Sequence, residues 1–215
     1  VEQNVRAGAV NRLFRRFARA SAVSFAGTDL PRATLTGNPL RAELVAAASA
    51  LRGPDAGPAR RTAREELGLP TDRPVVLVTT GSLGSQRVND AVVALAARWS
   101  HRTDVAVRHV TGERDHASVV ERVPDTRGLH YDVVPYDDRM AVSLAAADLA
   151  VTRAGAGTCT ELAAFGVPAV MVPLPIATRD HQRANAAVLV EAGAAVLVPD
   201  DELDVDRLER ELDAL

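Results

Sequence analysis

PVVLVTTGSLGSQRVNDAVVALAAR, residues 74–98, is the stretch that decides the fold of this chain. Its apolar run at 75–79 has the length and the β-branched composition of a buried strand. A turn with two glycines follows at 80–85, and apolar residues then recur at helical spacing over 86–100. The stretch therefore predicts a strand, a tight turn and a helix in succession.

The same unit of strand and helix is repeated through the rest of the chain. Apolar strands that are each followed by a helix predict a parallel sheet, because right-handed crossovers place helices on both of its faces. The fold class predicted from this pattern is doubly wound α/β. The predicted strands are 75–79, 105–110, 129–134, 149–152, 169–172 and 195–198. The predicted helices are 86–100, 115–122, 138–147, 158–165, 181–192 and 204–214.

Composition excludes several classes of protein. The 215 residues are 47% apolar and 25% charged, which is ordinary for a globular protein and excludes a disordered or collagen-like chain. The formal charge of -3 gives no indication of a nucleic-acid partner. Cys159 is the only cysteine, so a disulfide framework or a cysteine-rich zinc site is excluded. No other cluster of residues indicates a metal site, and no cofactor is predicted.

Residues 1–20 have the pattern of an amphipathic helix. Val10, Leu13, Phe14 and Phe17 recur at helical spacing, and arginines surround them. Such a basic face is either simply solvated or attracted to anionic lipid, and the pattern leaves both interpretations open. No apolar run approaches the ~20 residues that a spanning helix needs, so any membrane contact is expected to be peripheral.

The loops that follow the predicted strands are the candidate ligand sites, because open α/β sheets bind ligands at the carboxyl ends of their strands. The loop at 80–85 combines glycines, which let the backbone approach a ligand closely, with the start of a helix, whose free amides attract anions. A phosphate site and an ordinary strand-to-helix turn both fit this composition. This loop alone leaves the two open.

Two further loops carry polar groups. The glycine-rich loop 153–158 leads into a helix where Glu161 lies about one turn from the start; its carboxylate either interacts with the helix dipole or accepts hydrogen bonds from a ribose diol. The polar loop 175–182 suits a polyhydroxylated ligand, although Asp180 is equally suited to cap its helix and a lone His181 is more often structural. No Gly-x-Ser-x-Gly elbow and no Walker-type Gly-Lys-Ser/Thr occurs.

Taken together, these loops resemble the MurG family, whose members are UDP-N-acetylglucosamine transferases with the two-domain GT-B fold. The resemblance covers nearly the whole chain and is most specific over 153–195. The matching stretches are Glu2-Gln3-Asn4, Thr36-Gly37-Asn38-Pro39-Leu40-Arg41, Gly81-Ser82-Leu83-Gly84, Tyr136-Asp137-Asp138-Arg139-Met140, Arg153 to Glu161, Pro173-Leu174, and Asp180-His181-Gln182 with Asn185.

The resemblance implies which residues would contact the diphosphate of the sugar donor. Ser82 and its neighbouring amides would do so, helped by Arg41 near the linker between domains. The main-chain amides of Ala156, Gly157 and Thr158 would also face the phosphates. Hydrogen-bond donors and an arginine are the groups that an anion site requires.

The resemblance also implies how the nucleoside would be held. Main-chain groups around Tyr136 and Asp137 would pair with the edge of uracil, and Met140 would pack near the base. Glu161 would bind the ribose hydroxyls. The family usually has an apolar residue where this chain has Asp137, and a contact made by the main chain can survive that change.

His181 and Gln182 would face the sugar. This chain also departs from the family's motifs at three positions. Val1 replaces a common His, while Thr80 and Leu83 replace a Gly and a Gln of the family's Gly-Gly-Ser-Gln-Gly motif. Losing that Gln removes one polar group, so the contact it makes in relatives is not expected here.

Domain organisation and function are implied by the same resemblance. Residues 1–36 would be the truncated end of an acceptor-binding domain, with a predicted strand at 22–25, and residues 37–215 would form the UDP-sugar donor domain. The whole enzyme would transfer N-acetylglucosamine, with inversion, to lipid I at the cytoplasmic face of the bacterial cell membrane, yielding lipid II for peptidoglycan. The acceptor loop and catalytic base would lie in the missing part, so no catalytic residue is predicted here.

Three alternatives remain open from the sequence. The chain is also compatible with the donor subunit of a naturally split transferase, with a UDP-N-acetylglucosamine epimerase, and with a binding module that has no catalytic role. An epimerase would form the epimer without any acceptor, which distinguishes it from the transferases.

Overall fold

The computed structural model describes residues 1–81, 84–177 and 180–215. In that part of the chain the strands are β1 (Ser21–Val23), β2 (Ala33–Leu35), β3 (Val75–Thr79), β4 (Ala106–Val110), β5 (His130–Val134), β6 (Leu149–Thr152), β7 (Ala169–Met171) and β8 (Ala195–Leu197). The α-helices are α1 (Ala9–Phe14), α2 (Ala42–Ala50), α3 (Ala56–Glu66), α4 (Gln86–Arg98), α5 (His116–Val120), α6 (Met140–Ala146), α7 (Ala156–Phe165), α8 (His181–Glu191) and α9 (Val205–Ala214), with a 3-10 turn at Asp200–Glu202.

A six-stranded parallel sheet is the centre of the fold. Its order is β5-β4-β3-β6-β7-β8, and every neighbouring pair is parallel. The chain therefore proceeds from β3 towards one edge and then from β6 towards the other. The predicted doubly wound α/β class is confirmed, and all six strands predicted after residue 74 are present within two residues of their expected ends.

Both faces of this sheet are buried, as the uninterrupted apolar strands predict. On β3, Val75 and Leu77 point into a core that contains residues of α2, α3, α6, α7 and α8. Val76 and Val78 point to the opposite core, which contains residues of α4 and α9. Helices on both sides therefore leave only the ends of the strands open to a ligand. The first of these two cores also uses α2 and α3, for which the sequence pattern made no prediction.

The predicted helix over 1–20 is wrong in its length, because α1 covers only Ala9–Phe14. The carboxylate of Glu2 is buried and accepts hydrogen bonds from the main-chain amides of Asn4 and Gly8 and from the side chain of Asn11. These bonds fold residues 1–8 into a compact turn that competes with a helix. The predicted strand at 22–25 is found as Ser21–Val23, parallel to β2. The expected boundary after residue 36 stays a prediction.

A hydrogen-bonded polar network lies inside the sheet. His109 on β4 is fully buried; its Nε2 lies 2.9 Å from Asn89 Oδ1 and its Nδ1 lies 2.8 Å from the hydroxyl of Tyr131. The Asn oxygen can only accept, so Nε2 carries the proton and Nδ1 accepts from Tyr131. Burial, and to a smaller extent the charge of the nearby His116, lower the pKa of His109 to about 3. The imidazole is therefore neutral in the folded chain at physiological pH.

We expect this neutral histidine to make stability fall as the solution is acidified. Below the ordinary histidine pKa of 6.5 the unfolded chain gains a proton that folded His109 refuses until about pH 3, so stability is lost across that window. Each pH unit costs about 1.4 kcal/mol for one such group. Urea unfolding of the wild type and of His109→Gln, from pH 7 to pH 5, should show a steeper loss for the wild type.

The exposed His101 provides the control, because His101→Gln should leave the wild-type pH slope unchanged. Equal slopes for the wild type and His109→Gln would show that His109 accepts a proton in the folded state.

Candidate functional site

Two adjoining cavities open at the carboxyl ends of β3 and β6, where the strand order reverses. The smaller has a volume of roughly 280 Å³ and the larger roughly 1070 Å³. Gly81 and Thr158 line both of them. This is the crevice in which doubly wound sheets bind their ligands. The cavities therefore form one cleft with a narrow end and a wide end that meet at these two residues.

Glu161 contributes a half-buried carboxylate to the small cavity. It lies in α7, and no described residue donates a hydrogen bond to it. Burial raises the pKa of Glu161, while the positive charge of Arg41 opposes that rise. Arg41 precedes α2, lines the same cavity and forms an ion pair with the exposed Glu43 at 2.7 Å. An unpaired acceptor facing a cavity suits a ligand with hydroxyl donors.

The first turn of α7 presents free amides at the junction of the two cavities. In the described part of the chain, the N–H groups of Ala156, Gly157 and Thr158 have no acceptor, and the first bond of the helix is donated by Cys159 to Gly155. The positive end of the helix dipole adds to these donors. The junction is therefore suited to an anion such as a diphosphate.

The far wall of the small cavity is the loop between β5 and α6. Tyr136 is 57% exposed there, and Met140 at the start of α6 lines the same wall. Among the described residues, the N–H of Asp137 has no hydrogen-bond partner, and its C=O, which starts the turn at 138–139, has a second lone pair left for a ligand. A free main-chain donor beside such a main-chain acceptor can pair with the edge of a planar base.

The glycine turn after β3 forms the floor of the junction. Gly81 and Gly84 have φ values of 77° and 73°, which favour glycine, and the amide of Gly84 bonds to the carbonyl of Gly81 at 3.1 Å. A Cβ on Gly84 would lie 2.5 Å from the carboxylate of Asp115, and one on Gly112 would lie 2.6 Å from Gly84 Cα. Both glycines are required for this close packing. Ser82, predicted to contact the diphosphate, lies outside the described residues.

Gln182 and Asn185, one turn apart on α8, both hold the loop that precedes α7. Gln182 Oε1 accepts from the amides of Ala154 at 3.2 Å and Leu174 at 2.9 Å, while Asn185 Nδ2 donates to the carbonyl of Ala154 at 3.2 Å. Only Gln182 lines the large cavity, and no described residue accepts from its Nε2. The Oε1 of Gln182 thus holds two main-chain amides in place, while its Nε2 remains available to donate to a ligand.

The sequence analysis missed Arg153 as the residue that joins the walls of the large cavity. Its guanidinium donates to Asp200 at 2.5 Å, to Ser85 Oγ at 2.5 Å and to the carbonyl of Val172 at 3.1 Å. These bonds tie the loop before α7 to the first turn of α4 and to the 3-10 turn. A buried arginine is recognised only when its partners are known, because they are distant in sequence.

The structure brings most of the predicted donor-binding residues together. Arg41, Tyr136, Asp137, Met140, Thr158 and Glu161 line the small cavity, and Gln182 lines the large one. Of the others that are described, Ala156 and Gly157 present their amides beside Thr158, whereas His181 begins α8 and lines neither cavity. No group of three or more His, Cys, Asp or Glu that could hold a metal ion occurs among the described residues.

Comparison with known proteins follows this geometry. A family model described as the glycosyltransferase family 28 C-terminal domain matches residues 75–215, which include the whole six-stranded sheet. The chain belongs to glycosyltransferase family 28. The expectation of a glycosyltransferase family is therefore confirmed.

Curated relatives in the family agree on one activity. Proteins of Nocardioides sp. and Leifsonia xyli are 43% and 44% identical over 95% and 93% of this chain. Both are named UDP-N-acetylglucosamine--N-acetylmuramyl-(pentapeptide) pyrophosphoryl-undecaprenol N-acetylglucosamine transferase. This chain covers 53% and 51% of their lengths, so it spans about half of the relatives it matches.

A solved structure confirms the GT-B resemblance. The crystal structure of Acinetobacter baumannii MurG matches 99% of this chain and 56% of its own, with 29% identity and a TM-score of 0.73. A glycosyltransferase of kitacinnamycin shares the fold at 22% identity, with a TM-score of 0.63 over 93% of this chain and 46% of its own. The resemblance to the MurG family that the loops indicated is therefore confirmed.

We expect Glu161→Gln to stabilise the free protein and to weaken UDP binding. Because the pKa of Glu161 is raised in the folded chain, its ionised form lowers stability above the folded pKa and has no such effect below the ordinary glutamate pKa. Gln removes that charge but offers a poorer acceptor to a ribose. Urea unfolding should show a more stable variant at pH 7, and calorimetry should show UDP bound about ten- to a hundredfold more weakly.

The exposed Glu65 on α3 supplies a matched control, since Glu65→Gln removes the same charge far from the cleft. The stability difference between wild type and Glu161→Gln should vanish as the pH falls to the ordinary range of glutamate. UDP affinity that is unchanged in a folded Glu161→Gln would refute the ribose assignment.

Proposed function

We propose that this chain is the donor-binding part of the transferase that moves N-acetylglucosamine from UDP-N-acetylglucosamine to undecaprenyl-pyrophosphoryl-MurNAc-pentapeptide. That reaction converts lipid I to lipid II in peptidoglycan biosynthesis. The observation that carries the proposal is the small cavity, where main-chain groups of Asp137, the unpaired carboxylate of Glu161 and the amides of α7 surround one space. The names of the relatives support the same donor and acceptor.

The cleft has room for the three parts of the donor in order. Uracil would lie against the β5–α6 loop with its edge on the main chain of Asp137, and the ribose diol would donate to Glu161. The diphosphate would lie at the junction marked by Thr158 and Gly81, and the sugar would enter the large cavity near Gln182. This order follows from which residues line each cavity.

The described residues would act on the leaving group. In an inverting transfer the C4 hydroxyl of the acceptor attacks the anomeric carbon while the bond to the diphosphate breaks, and negative charge grows on UDP. The free amides of α7 and the guanidinium of Arg41 would stabilise that charge, since fixed donors require no reorganisation during the reaction. Holding the sugar against an acceptor would supply much of the remaining rate. No described residue is assigned as the base that takes the acceptor's proton.

A membrane surface is the second partner in this proposal. The apolar side chains of Val10, Leu13, Phe14 and Phe17, in or next to α1, are 56% to 69% exposed. Exposed arginines at 12, 15, 16 and 19 lie among them. Apolar insertion combined with attraction to acidic headgroups is how a short segment binds the interface of an anionic bilayer. None of the described helices is long and apolar enough to cross a bilayer.

We expect Gln182→Ala to weaken UDP-N-acetylglucosamine more than UDP. The Nε2 donor that is lost would contact only the sugar. Loss of the bond to Ala154 would disturb the diphosphate site, and because both ligands contain a diphosphate it would weaken both alike. One neutral hydrogen bond contributes about 0.5–1.5 kcal/mol, so calorimetry should show the ratio of the two affinities change by about two- to tenfold. The preference over UDP-N-acetylgalactosamine should narrow as well.

Asn185→Ala is the matched control for this experiment, because it removes the other side chain that holds Ala154 without removing a donor from the large cavity. Its affinity ratio should equal that of the wild type. Failure of the wild-type chain to bind UDP at all would reject the proposed function, whereas an unchanged ratio in Gln182→Ala would reject only the sugar contact.

We expect replacement of both Phe14 and Phe17 by Ser to abolish most binding to vesicles of phosphatidylglycerol and phosphatidylcholine. Burying one such side chain contributes about 1.5–3 kcal/mol, so each loss should reduce partitioning about tenfold or more. Sedimentation with vesicles should show wild-type binding that weakens as salt is added. Val120→Ser changes an exposed apolar residue on α5 and should have no effect. Equal binding to pure phosphatidylcholine would contradict the proposed attraction to anionic lipid.

A further inference from the structure

A buried group of charged side chains lies behind the base end of the small cavity. Its members are Arg108, Asp132, Asp137 and Ser143, and they are called the Arg108 cluster here. The side chains of Arg108 and Asp137 are 7% and 1% exposed, whereas that of Asp132 is 28% exposed. The cluster joins β4, β5, α6 and the loop between the last two. It lies next to the proposed base site, and donor binding does not use its side chains.

The carboxylate of Asp137 is held by four hydrogen bonds. Its Oδ2 accepts from Arg108 Nη2 at 3.0 Å and Nε at 3.2 Å and from Ser143 Oγ at 2.5 Å. Its Oδ1 accepts from the main-chain amide of Arg139 at 2.9 Å. The remaining side of the Arg108 guanidinium donates to Asp132. Asp137 is thus fixed to β4 through Arg108 and to the helix after its loop through Ser143.

The main chain of Asp137, in contrast to its side chain, faces the small cavity. Asp137 lines the small cavity; in the described part of the chain its N–H has no protein partner, and its C=O, which starts the turn at 138–139, keeps a second lone pair for a ligand. Unpaired main-chain groups are uncommon where a residue is buried, and Asp137 is only 6% exposed as a whole. One residue therefore combines a fully bonded side chain with a donor and an acceptor left for a ligand.

Net stability does not account for such a cluster. Taking charges out of water costs free energy that offsets their attraction, and well-packed apolar residues in the same volume stabilise a core equally well or better. What hydrogen-bonded charges add is direction, because each bond restricts the orientation of the groups it joins. Loops that follow strands are otherwise among the more variable and mobile parts of a fold.

We propose that Asp137, held by Arg108 and Ser143, is a positioning residue that makes the site select uracil over cytosine. The fixed loop presents one main-chain donor beside one main-chain acceptor. Uracil offers a carbonyl acceptor next to a ring N–H donor and satisfies both, whereas cytosine offers an amino donor next to a ring acceptor and opposes both. The selection depends on the orientation of this edge, and so on the buried carboxylate. This inference rests on the proposed function, in which the small cavity holds the base.

The experiment compares affinities for UDP and CDP by calorimetry in the wild type, Asp137→Asn and Asp132→Asn. Each variant removes one of the two carboxylate charges that pair with Arg108, but only Asp137 lies in the loop that faces the base. The UDP preference should narrow about tenfold in Asp137→Asn, which corresponds to mispositioning about one hydrogen bond, and should remain in Asp132→Asn. The ratio of UDP to 2′-deoxy-UDP, which reports the ribose contact, should be the same in all three.

The outcomes separate the two proposals. A wild type that does not prefer UDP would reject the proposed base site itself. A wild type that prefers UDP while Asp137→Asn keeps the full preference would reject the positioning role, and so would an equal loss in Asp132→Asn. Ser143→Ala removes a single bond from the carboxylate and leaves the ion pair, so it decides the matter if Asp137→Asn does not fold. Ser143→Ala should narrow the UDP preference in the same direction by a smaller factor, and a wild-type ratio in that variant would overturn the inference.

Discussion

The reversal of strand order between β3 and β6 is the constraint on which the site depends. The helices that follow these two neighbouring strands, α4 and α7, pack on opposite faces of the sheet. No crossover can therefore cover the space between the two strand ends, and the two helix starts face a common crevice. The glycine turn, the free amides and the carboxylate of α7 all lie there because the topology puts them there. The chemistry of the site is therefore a consequence of the order of the strands in the sheet.

The described residues present mostly main-chain groups to the cleft, and side chains hold those groups in place. Gln182 and Asn185 fix Ala154, Arg153 fixes the start of α4 through Ser85, and the carboxylate of Asp137 fixes its own loop. Main-chain donors and acceptors cannot change with a substitution, but their directions can. The identity of a side chain behind the cleft therefore matters through geometry rather than through contact.

The sequence predicted the sheet and its strands because uninterrupted apolar strands indicate burial on both faces, as in a parallel sheet covered by helices. It failed over residues 1–20, where helical spacing of apolar residues occurs without a surface to pack on. Local pattern does not show whether a partner exists, and a short helix without tertiary packing is marginal. The roles assigned to Glu161 and Asp137 came from resemblance, since a carboxylate in a first turn or a polar residue in a loop has several ordinary uses. Arg108 and His109 interrupt an apolar strand, and that interruption was the available signal of the buried networks they form.

The side chain of Asn185 connects two segments that are distant in sequence. Its Oδ1 accepts from the amide of Val5 at 3.0 Å, while its Nδ2 donates to Asn4 Oδ1 at 3.0 Å and to the carbonyl of Ala154. The buried side-chain amide of Asn185 is thus hydrogen-bonded both to the first residues of the chain and to the loop that begins α7. Because the amide group is planar and rigid, it cannot rotate to follow one of these segments without straining its bonds to the other. Residues 4 and 5 and the loop that precedes the free amides of α7 are therefore held in one fixed spacing by a single side chain.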